Sequence, residues 1–254
     1  MKRHLALALV LALAPAVALA DPPSNASEAE LLFRRANDAY LAGHYDDARS
    51  DYWQVVEGGF GTADVYFNLG NAALKAGKLG EAVLAYERAL RRDPGDDDAR
   101  ANLALARKRN VDKVVGGGSG PPFFARLARV LAPGPVTVAF LVAWGLLFLG
   151  LLGLRLFRRR RLVLSLVAAL GLLGSVAAGA LLADVAWYRE HVVEAVVMDP
   201  VIPVRKGPAP RFDTAFELHE GFEVRLLGHD GPYVQIRLAN GLEGWVLRRS
   251  LKTI

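Results

Sequence analysis

Two long runs of apolar residues dominate the hydropathy pattern in the second half of the chain. Residues 135–157 carry one charge, Arg155, and residues 162–187 carry one charge, Asp184, and each charge lies near an end of its run. An α-helix needs about 20 apolar residues to cross the hydrocarbon core of a bilayer, and both runs are long enough. Neither run has the polar face of a helix at a soluble surface. The pattern therefore predicts two transmembrane helices.

The connection between the two runs predicts how they are oriented. It consists of four consecutive basic residues, Arg158, Arg159, Arg160 and Arg161. Positive charge beside a membrane span resists translocation, so we expect this turn in the cytoplasm and both flanking segments on the extracytoplasmic side. The small residues Gly171, Gly174, Ala178 and Gly179 are expected to let the two helices of this hairpin pack closely. Two buried helices of a soluble domain are the alternative, and no other segment is large enough to bury them.

Residues 1–20 have the features of a secretory signal peptide. Lys2 and Arg3 form a basic start, an apolar core follows, and Ala18 and Ala20 mark a cleavage site of small residues. An uncleaved anchor helix is the alternative. Both interpretations start the next segment outside the cytoplasm, in agreement with the orientation predicted for the hairpin.

Residues 21–110 contain an internal repeat. Small and aromatic residues recur at one constant spacing in the pairs Gly43 and Gly77, Ala48 and Ala82, and Tyr52 and Tyr86. This period of about 34 residues resembles that of the tetratricopeptide repeat, a helix–turn–helix unit whose copies stack on one another. We place two repeats at about 29–62 and 63–96, followed by a capping helix at 97–110. The small residues would let paired helices approach, and the tyrosines would fill the gaps between pairs.

The resemblance to tetratricopeptide repeats implies a concave groove that holds a peptide of a partner protein. In the register of this chain, the side chains that face the groove are mainly amides: Asn37, Tyr40, Asn68, Asn71, Lys75 and Asn102. Some domains of this family clamp a C-terminal carboxylate with two asparagines and several basic residues. The basic positions of that clamp hold other residue types here, so we exclude it and predict a more general peptide groove. A purely structural role for the asparagines is the alternative.

Residues 111–134 are predicted to connect the repeats to the membrane hairpin. The glycine-rich and proline-rich run at 116–122 favours a flexible tether. Residues 123–131 place apolar side chains on one helical face and Arg126 and Arg129 on the other, which is typical of a helix at the membrane interface. A plain extension of the tether is the alternative.

Residues 192–254 alternate short β-rich runs with turn signals. Asn240 and Gly241 lie between two such runs and predict a β-hairpin with a type I′ turn, in which both residues have positive φ. Through residues 204–208, 216–221 and 244–246, the segment resembles a bacterial SH3-type domain. The resemblance implies a small barrel that binds peptides or cell-wall material.

Two aromatic residues of this segment, Tyr233 and Trp245, are candidate surface contacts of the barrel. Packing in its core is the favoured interpretation for both residues.

Composition excludes several kinds of chemistry. The chain has no cysteine, which excludes disulfides, thiolate metal sites and cysteine nucleophiles. The net charge is +5, and residues 111–188 alone contribute +6, so the soluble segments lack the basic surface of a nucleic-acid-binding protein. The five histidines show no metal-ligand spacing, and no serine lies in a nucleophile motif. We predict a protein that is not an enzyme and that uses no metal or cofactor.

The complete predicted fold is multidomain: an all-α tetratricopeptide helical stack, a two-helix transmembrane hairpin and a small all-β SH3-like barrel. This order is similar to that of the BatE family of Bacteroides aerotolerance proteins, and residues 66–71 and 86–90 are its most specific stretches. The resemblance implies a scaffold in the bacterial inner membrane that acts under oxidative or envelope stress. Its implied partners are von Willebrand factor A-type membrane proteins and, indirectly, a MoxR-type ATPase.

The sequence thus predicts a membrane-anchored, periplasmic adaptor that binds protein partners through its repeats. The alternative is a cell-wall-binding protein in which the SH3-like domain holds peptidoglycan and the repeats act as a spacer.

Overall fold

The computed structural model describes residues 22–112 and 133–254, except for the side chains of residues 133, 189 and 190. The predicted signal peptide, the glycine-rich tether and the predicted interfacial helix lie outside these residues. The described chain folds into a stack of five helices, a pair of long apolar helices and a seven-stranded antiparallel sheet.

Successive helices of the stack begin alternately with a side-chain N-cap and after a tight glycine turn. Their bounds are α1 Ala26–Leu41, α2 Tyr45–Glu57, α3 Ala63–Lys75, α4 Leu79–Arg92 and α5 Asp97–Arg109. Before α1, α3 and α5, the side chains of Asn25, Thr62 and Asp96 each accept a hydrogen bond from a backbone N–H three residues ahead. The helices α2 and α4 have no such cap and follow tight turns at Gly43 and Gly77, which both have positive φ.

Small residues and tyrosines fill the contacts between these helices, as the repeat pattern predicts. Ala48, Ala82 and Tyr86 are completely buried, and Tyr52 is 1% exposed. A Cβ atom on Gly70 would lie 2.6 Å from the ring of Tyr86. The absence of a side chain at Gly70 therefore sets the distance between α3 and α4.

The two apolar helices, α6 Pro133–Leu156 and α7 Arg161–His191, form an antiparallel hairpin joined through a 3₁₀ turn at Arg158–Arg160. A Cβ atom on Gly171 would lie 2.4 Å from the backbone of Leu147. This contact confirms that small residues allow close packing of the hairpin. Both helices are long and apolar enough to span a membrane.

The C-terminal domain is an antiparallel sheet in the order β3-β2-β6-β5-β4-β1-β7. Its strands are β1 Val193–Val197, β2 Val201–Arg205, β3 Thr214–His219, β4 Glu223–Asp230, β5 Tyr233–Arg237, β6 Glu243–Leu247 and β7 Leu251–Thr253. Alternate residues of these strands form the core, in which Ala195, Val197, Val204 and Ile236 are completely buried. A single residue, Val192, separates α7 from β1.

The hairpin predicted at Asn240 and Gly241 is present, because β5 pairs with β6. The predicted type I′ turn is wrong. Gly241 has a φ of +87°, but Asn240 does not have positive φ. The Leu238 N–H donates to the Leu242 carbonyl at 2.9 Å, so three residues form the loop, and such a loop places only its glycine in the left-handed region.

The sheet domain packs directly against the helical stack. Val196 of β1 shares a core with Val83 of α4 and Leu103 of α5. A Cβ atom on Gly80 would lie 2.7 Å from the carbonyl oxygen of Val197. The backbones of α4 and β1 therefore approach as closely as a glycine permits.

Charged groups at the edge of this contact join the two domains. Arg107 donates from Nε to Glu223 Oε2 at 2.9 Å, and Arg88 donates to the carbonyl of Thr253 at 2.7 Å. Arg107 also pairs with Glu87 of α4. The Arg107–Glu223 and Arg88–Thr253 contacts both join residues that are far apart in the sequence.

The repeat register explains which surface of α4 the sheet covers. In the first repeat, Arg49 and Trp53 of α2 contact Glu81 of the next second helix, α4. Their counterparts in the following repeat are Val83 and Glu87. Val83 shares a core with Val196 of the sheet domain, and Glu87 pairs with Arg107, which also pairs with Glu223 of the sheet domain. The sheet domain therefore occupies the place of the second helix of a third repeat and closes the stack, which repeat proteins require at their ends.

Candidate peptide-binding groove

Four of the six predicted groove residues lie together in one hollow on the face formed by α1 and α3. The hollow has a volume of about 170 Å³ and is lined by Asn37, Tyr40, Leu41, Tyr52, Asn68 and Asn71. Asn102 of α5 contacts the same row of side chains through Asn71. The structure thus brings five of the predicted residues into one continuous surface.

A hydrogen-bond motif occurs in this surface once in each repeat. The Tyr52 hydroxyl donates to Asn37 Oδ1 at 2.6 Å, and Asn68 Nδ2 lies 3.4 Å from the same oxygen. In the second copy, the Tyr86 hydroxyl donates to Asn71 Oδ1 at 2.7 Å, and Asn102 Nδ2 donates to that oxygen at 2.9 Å. Each motif joins two neighbouring first helices to the second helix between them.

Burial keeps both phenols in the state that this motif needs. It raises the pKa of Tyr52 to about 12 and also raises the pKa of Tyr86. Both hydroxyls are therefore protonated at physiological pH and act as donors. Since each asparagine oxygen accepts, the orientation of its side-chain amide is fixed, and its NH₂ group is left to face other partners.

The fixed amides give the groove an alternating chemistry. Within the residues that the structure describes, the NH₂ groups of Asn37 and Asn71 donate no hydrogen bond, and the side-chain oxygens of Asn68 and Asn102 accept none. Donors and acceptors thus alternate across α1, α3 and α5. An extended peptide backbone carries alternating C=O and N–H groups and matches such a surface.

Lys75, the sixth predicted residue, is exposed and does not line the hollow. Its position four residues after Asn71 on α3 places it one helical turn further along the same face, at the rim of the groove. The repeat register places Leu41, Lys75 and Arg109 at equivalent positions of successive first helices. Leu41 lines the hollow and is 82% exposed, Lys75 lies just beyond the hollow, and Arg109 lines a different cleft, between the stack and the sheet domain. The rim adds positive charge to a groove otherwise made of neutral amides.

Sequence reasoning missed the tyrosines as members of the site. It assigned Tyr52 and Tyr86 to packing only, and the structure shows that they also orient Asn37 and Asn71. The signal was present, because both tyrosines follow their asparagine by 15 residues.

The other predicted site residues are placed as follows. Tyr233 is 7% exposed, and Trp245 is half-buried on the neighbouring strand β6. Arg158–Arg161 are all exposed at the tip of the apolar hairpin. In the described parts of the chain, residues 22–112 and 133–254, no cluster of three histidine, aspartate or glutamate side chains suits a metal ion.

Comparison with known proteins assigns the stack to a repeat type. The tetratricopeptide repeat family model matches residues 33–97 and again residues 67–113. Residues 33–113 contain tetratricopeptide repeats. The chain has no significant match among curated proteins. The match to the tetratricopeptide repeat agrees with the helix order and with the regular spacing of the asparagine–tyrosine motif.

Proposed function

We propose that this protein is a membrane-anchored adaptor that holds an extended segment of a partner protein in the asparagine groove. The alternation of amide donors and acceptors across α1, α3 and α5 is the observation that carries the proposal. Four side-chain amides with their orientation fixed by internal hydrogen bonds provide backbone recognition without a charged anchor. No catalytic step is part of the proposed role.

The apolar hairpin supports the anchoring part of the proposal. The four arginines at its tip favour a cytoplasmic turn, and the stack and sheet domain then lie together outside the cytoplasm. We place the protein in the bacterial inner membrane, as its resemblance to the BatE family implies. The same resemblance makes von Willebrand factor A-type membrane proteins the proposed partners, with a MoxR-type ATPase as an indirect one, in an aerotolerance or envelope-stress complex.

The rival function, binding of peptidoglycan by an SH3-like domain, depends on aromatic contacts in the sheet domain. Tyr233 is buried, so Trp245 is the remaining candidate of the two. The geometry favours the adaptor, because the groove offers several oriented polar groups and the aromatic candidate stands alone.

Deleting a whole domain is a poor test, because the stack and the sheet domain share a core. We would place a photo-crosslinking amino acid at Lys75 in the full chain, irradiate whole cells and identify the adducts from gently solubilised membranes. Asn68→Ala removes one groove acceptor and leaves the Tyr52–Asn37 bond in place. The proposal expects a discrete protein adduct whose yield falls in the Asn68→Ala background.

The matched control is Lys78→Glu, a charge change at an exposed residue three positions beyond Lys75 and outside the hollow. It should leave the adduct yield unchanged. Equal loss in both variants, or no adduct with any protein, contradicts the adaptor. Sedimentation of the full chain with purified cell wall that is lost in Trp245→Ala favours the peptidoglycan function instead.

A further inference from the structure

A second cleft, separate from the asparagine groove, lies where the stack meets the sheet domain. Its volume is about 310 Å³, and it shares no lining residue with the groove. Leu74, Leu79, Val111 and Pro200 form its apolar wall. Sites for small ligands typically lie between domains, with apolar walls and a few polar groups, and this cleft has both features.

Two polar residues at this cleft already have partners that hold the domains together. His219 donates its backbone N–H to Asp112 Oδ2 at 2.6 Å, and its Nδ1 lies 2.8 Å from Asp112 Oδ1. The Gly80 N–H donates to Glu220 Oε2 at 3.4 Å, so a carboxylate of the sheet domain caps α4. These bonds fix the shape of the cleft and leave Glu220 Oε1 as an acceptor.

Arg109 also lines the cleft and differs from these residues. Its guanidinium lies near the Tyr86 phenol, whose pKa it lowers against the larger effect of burial. Within the part of the chain that the structure describes, this exposed guanidinium makes no hydrogen bond or ion pair. A guanidinium binds a carboxylate through two parallel N–H···O bonds. The cleft therefore offers one unmatched cation, one acceptor oxygen and an apolar wall.

We propose that this cleft binds the C-terminal residue of a protein segment with a large apolar side chain. The terminal carboxylate pairs with Arg109, the last peptide N–H donates to Glu220 Oε1, and the side chain lies against Leu74 and Leu79. A fatty acid could pack against the apolar wall and pair with Arg109. It would leave Glu220 desolvated without a hydrogen-bond donor, which is unfavourable. This site lies outside the asparagine groove, and the proposal does not depend on the function proposed for that groove.

The test uses the full chain in lipid nanodiscs and a fluorescein-labelled pentapeptide, GSGLF, with a free C-terminal carboxylate. Fluorescence anisotropy compares it with the same peptide ending in an amide. The expected result is binding of the free acid that weakens at least tenfold for the amide, and at least tenfold for Arg109→Gln with the free acid. Lys108→Gln removes the same charge from the neighbouring exposed residue, which does not line the cleft, and should change the affinity less than twofold.

Three results would overturn the proposal. The first is equal binding of the free acid and the amide, and the second is an equal loss of affinity in the two glutamine variants. The third is that neither peptide binds, and Arg109-dependent displacement of a labelled fatty acid by decanoate would then identify a fatty acid as the ligand. Arg109 and Lys108 are both exposed, so neither variant removes a buried contact and misfolding does not confuse the comparison.

Discussion

Substitution of Gly80 by alanine tests whether the stack and the sheet domain are joined as the structure shows. The added methyl group would lie 2.7 Å from the carbonyl oxygen of Val197, well inside van der Waals contact. That carbonyl accepts the Gly221 N–H at 2.9 Å, so it cannot turn aside without breaking a bond in the sheet domain. The clash therefore has to be relieved by moving α4 away from β1.

Two opposing effects determine the magnitude. Alanine favours a helix over glycine by up to about 1 kcal/mol. Overpacking a rigid contact costs about 1–3 kcal/mol, and a backbone neighbour places this case at the upper end. Gly80→Ala is therefore expected to destabilise the docked arrangement of stack and sheet domain by about 2 kcal/mol. This corresponds to roughly 30-fold faster hydrogen exchange of the amides that docking protects.

The assay is hydrogen exchange of the full chain in nanodiscs, read at peptides that cover α4 and β1. Gly228→Ala is the control, because a Cβ atom there meets nothing within 4 Å and its φ is not positive. The reasoning is refuted if Gly80→Ala slows exchange in α4 and leaves β1 unchanged. That result is what the helix propensity of alanine alone would produce.

Three further predictions concern the groove, its tyrosines and the hairpin. Tyr86→Phe removes the donor to Asn71 and should lower the free energy of unfolding by about 1 kcal/mol. Urea titration of the full chain measures this change, and an unchanged stability would contradict the motif. Folding raises the pKa of Tyr52 from 10 to about 12, so its contribution to stability is present below pH 10 and lost between pH 10 and 12. Thermal melts across that range should show a decline that is smaller in Tyr52→Phe. Because the chain has no cysteine, Lys78→Cys and Arg159→Cys give clean reporters of orientation, and a membrane-impermeant maleimide added to spheroplasts should label only the first.

Local patterns predicted most of the fold. The hydrogen bonds of a helix join residues that are close in sequence, so apolar runs and the repeat spacing located the helices of the stack and hairpin. The asparagines of the candidate groove were predicted for the same reason, since Asn37 and Asn71 repeat in register, and the structure places them on one surface. The position of the turn at Gly241 was predicted correctly, but its type was not. The turn type depends on the number of loop residues, which is set by the pairing of β5 and β6.

Contacts between the domains could not be predicted. Asp112 meets His219, and Arg107 meets Glu223, across 107 and 116 residues. Such pairs follow no periodic pattern in the sequence. The residues beside these charges do not distinguish them from other charged residues, so the sequence does not show which two will pair. Gly80 indicates a close contact, because a glycine in a helix is unfavourable unless another group packs against its backbone. The sequence does not show that this group is the carbonyl of Val197.

The single residue between α7 and β1 limits which partners the groove can reach. Tyr188 of α7 donates to Glu194 of β1 at 2.9 Å, and Glu194 in turn lies 3.8 Å from Arg91 of α4, so the span, the sheet and the stack are braced in series. In the proposed topology, the groove is then held at one height above the bilayer. A segment with a suitable sequence but anchored too close to the membrane, or too far from it, would not be captured. Selection by height adds to selection by sequence, and lengthening the α7–β1 junction would change the set of partners without altering the groove.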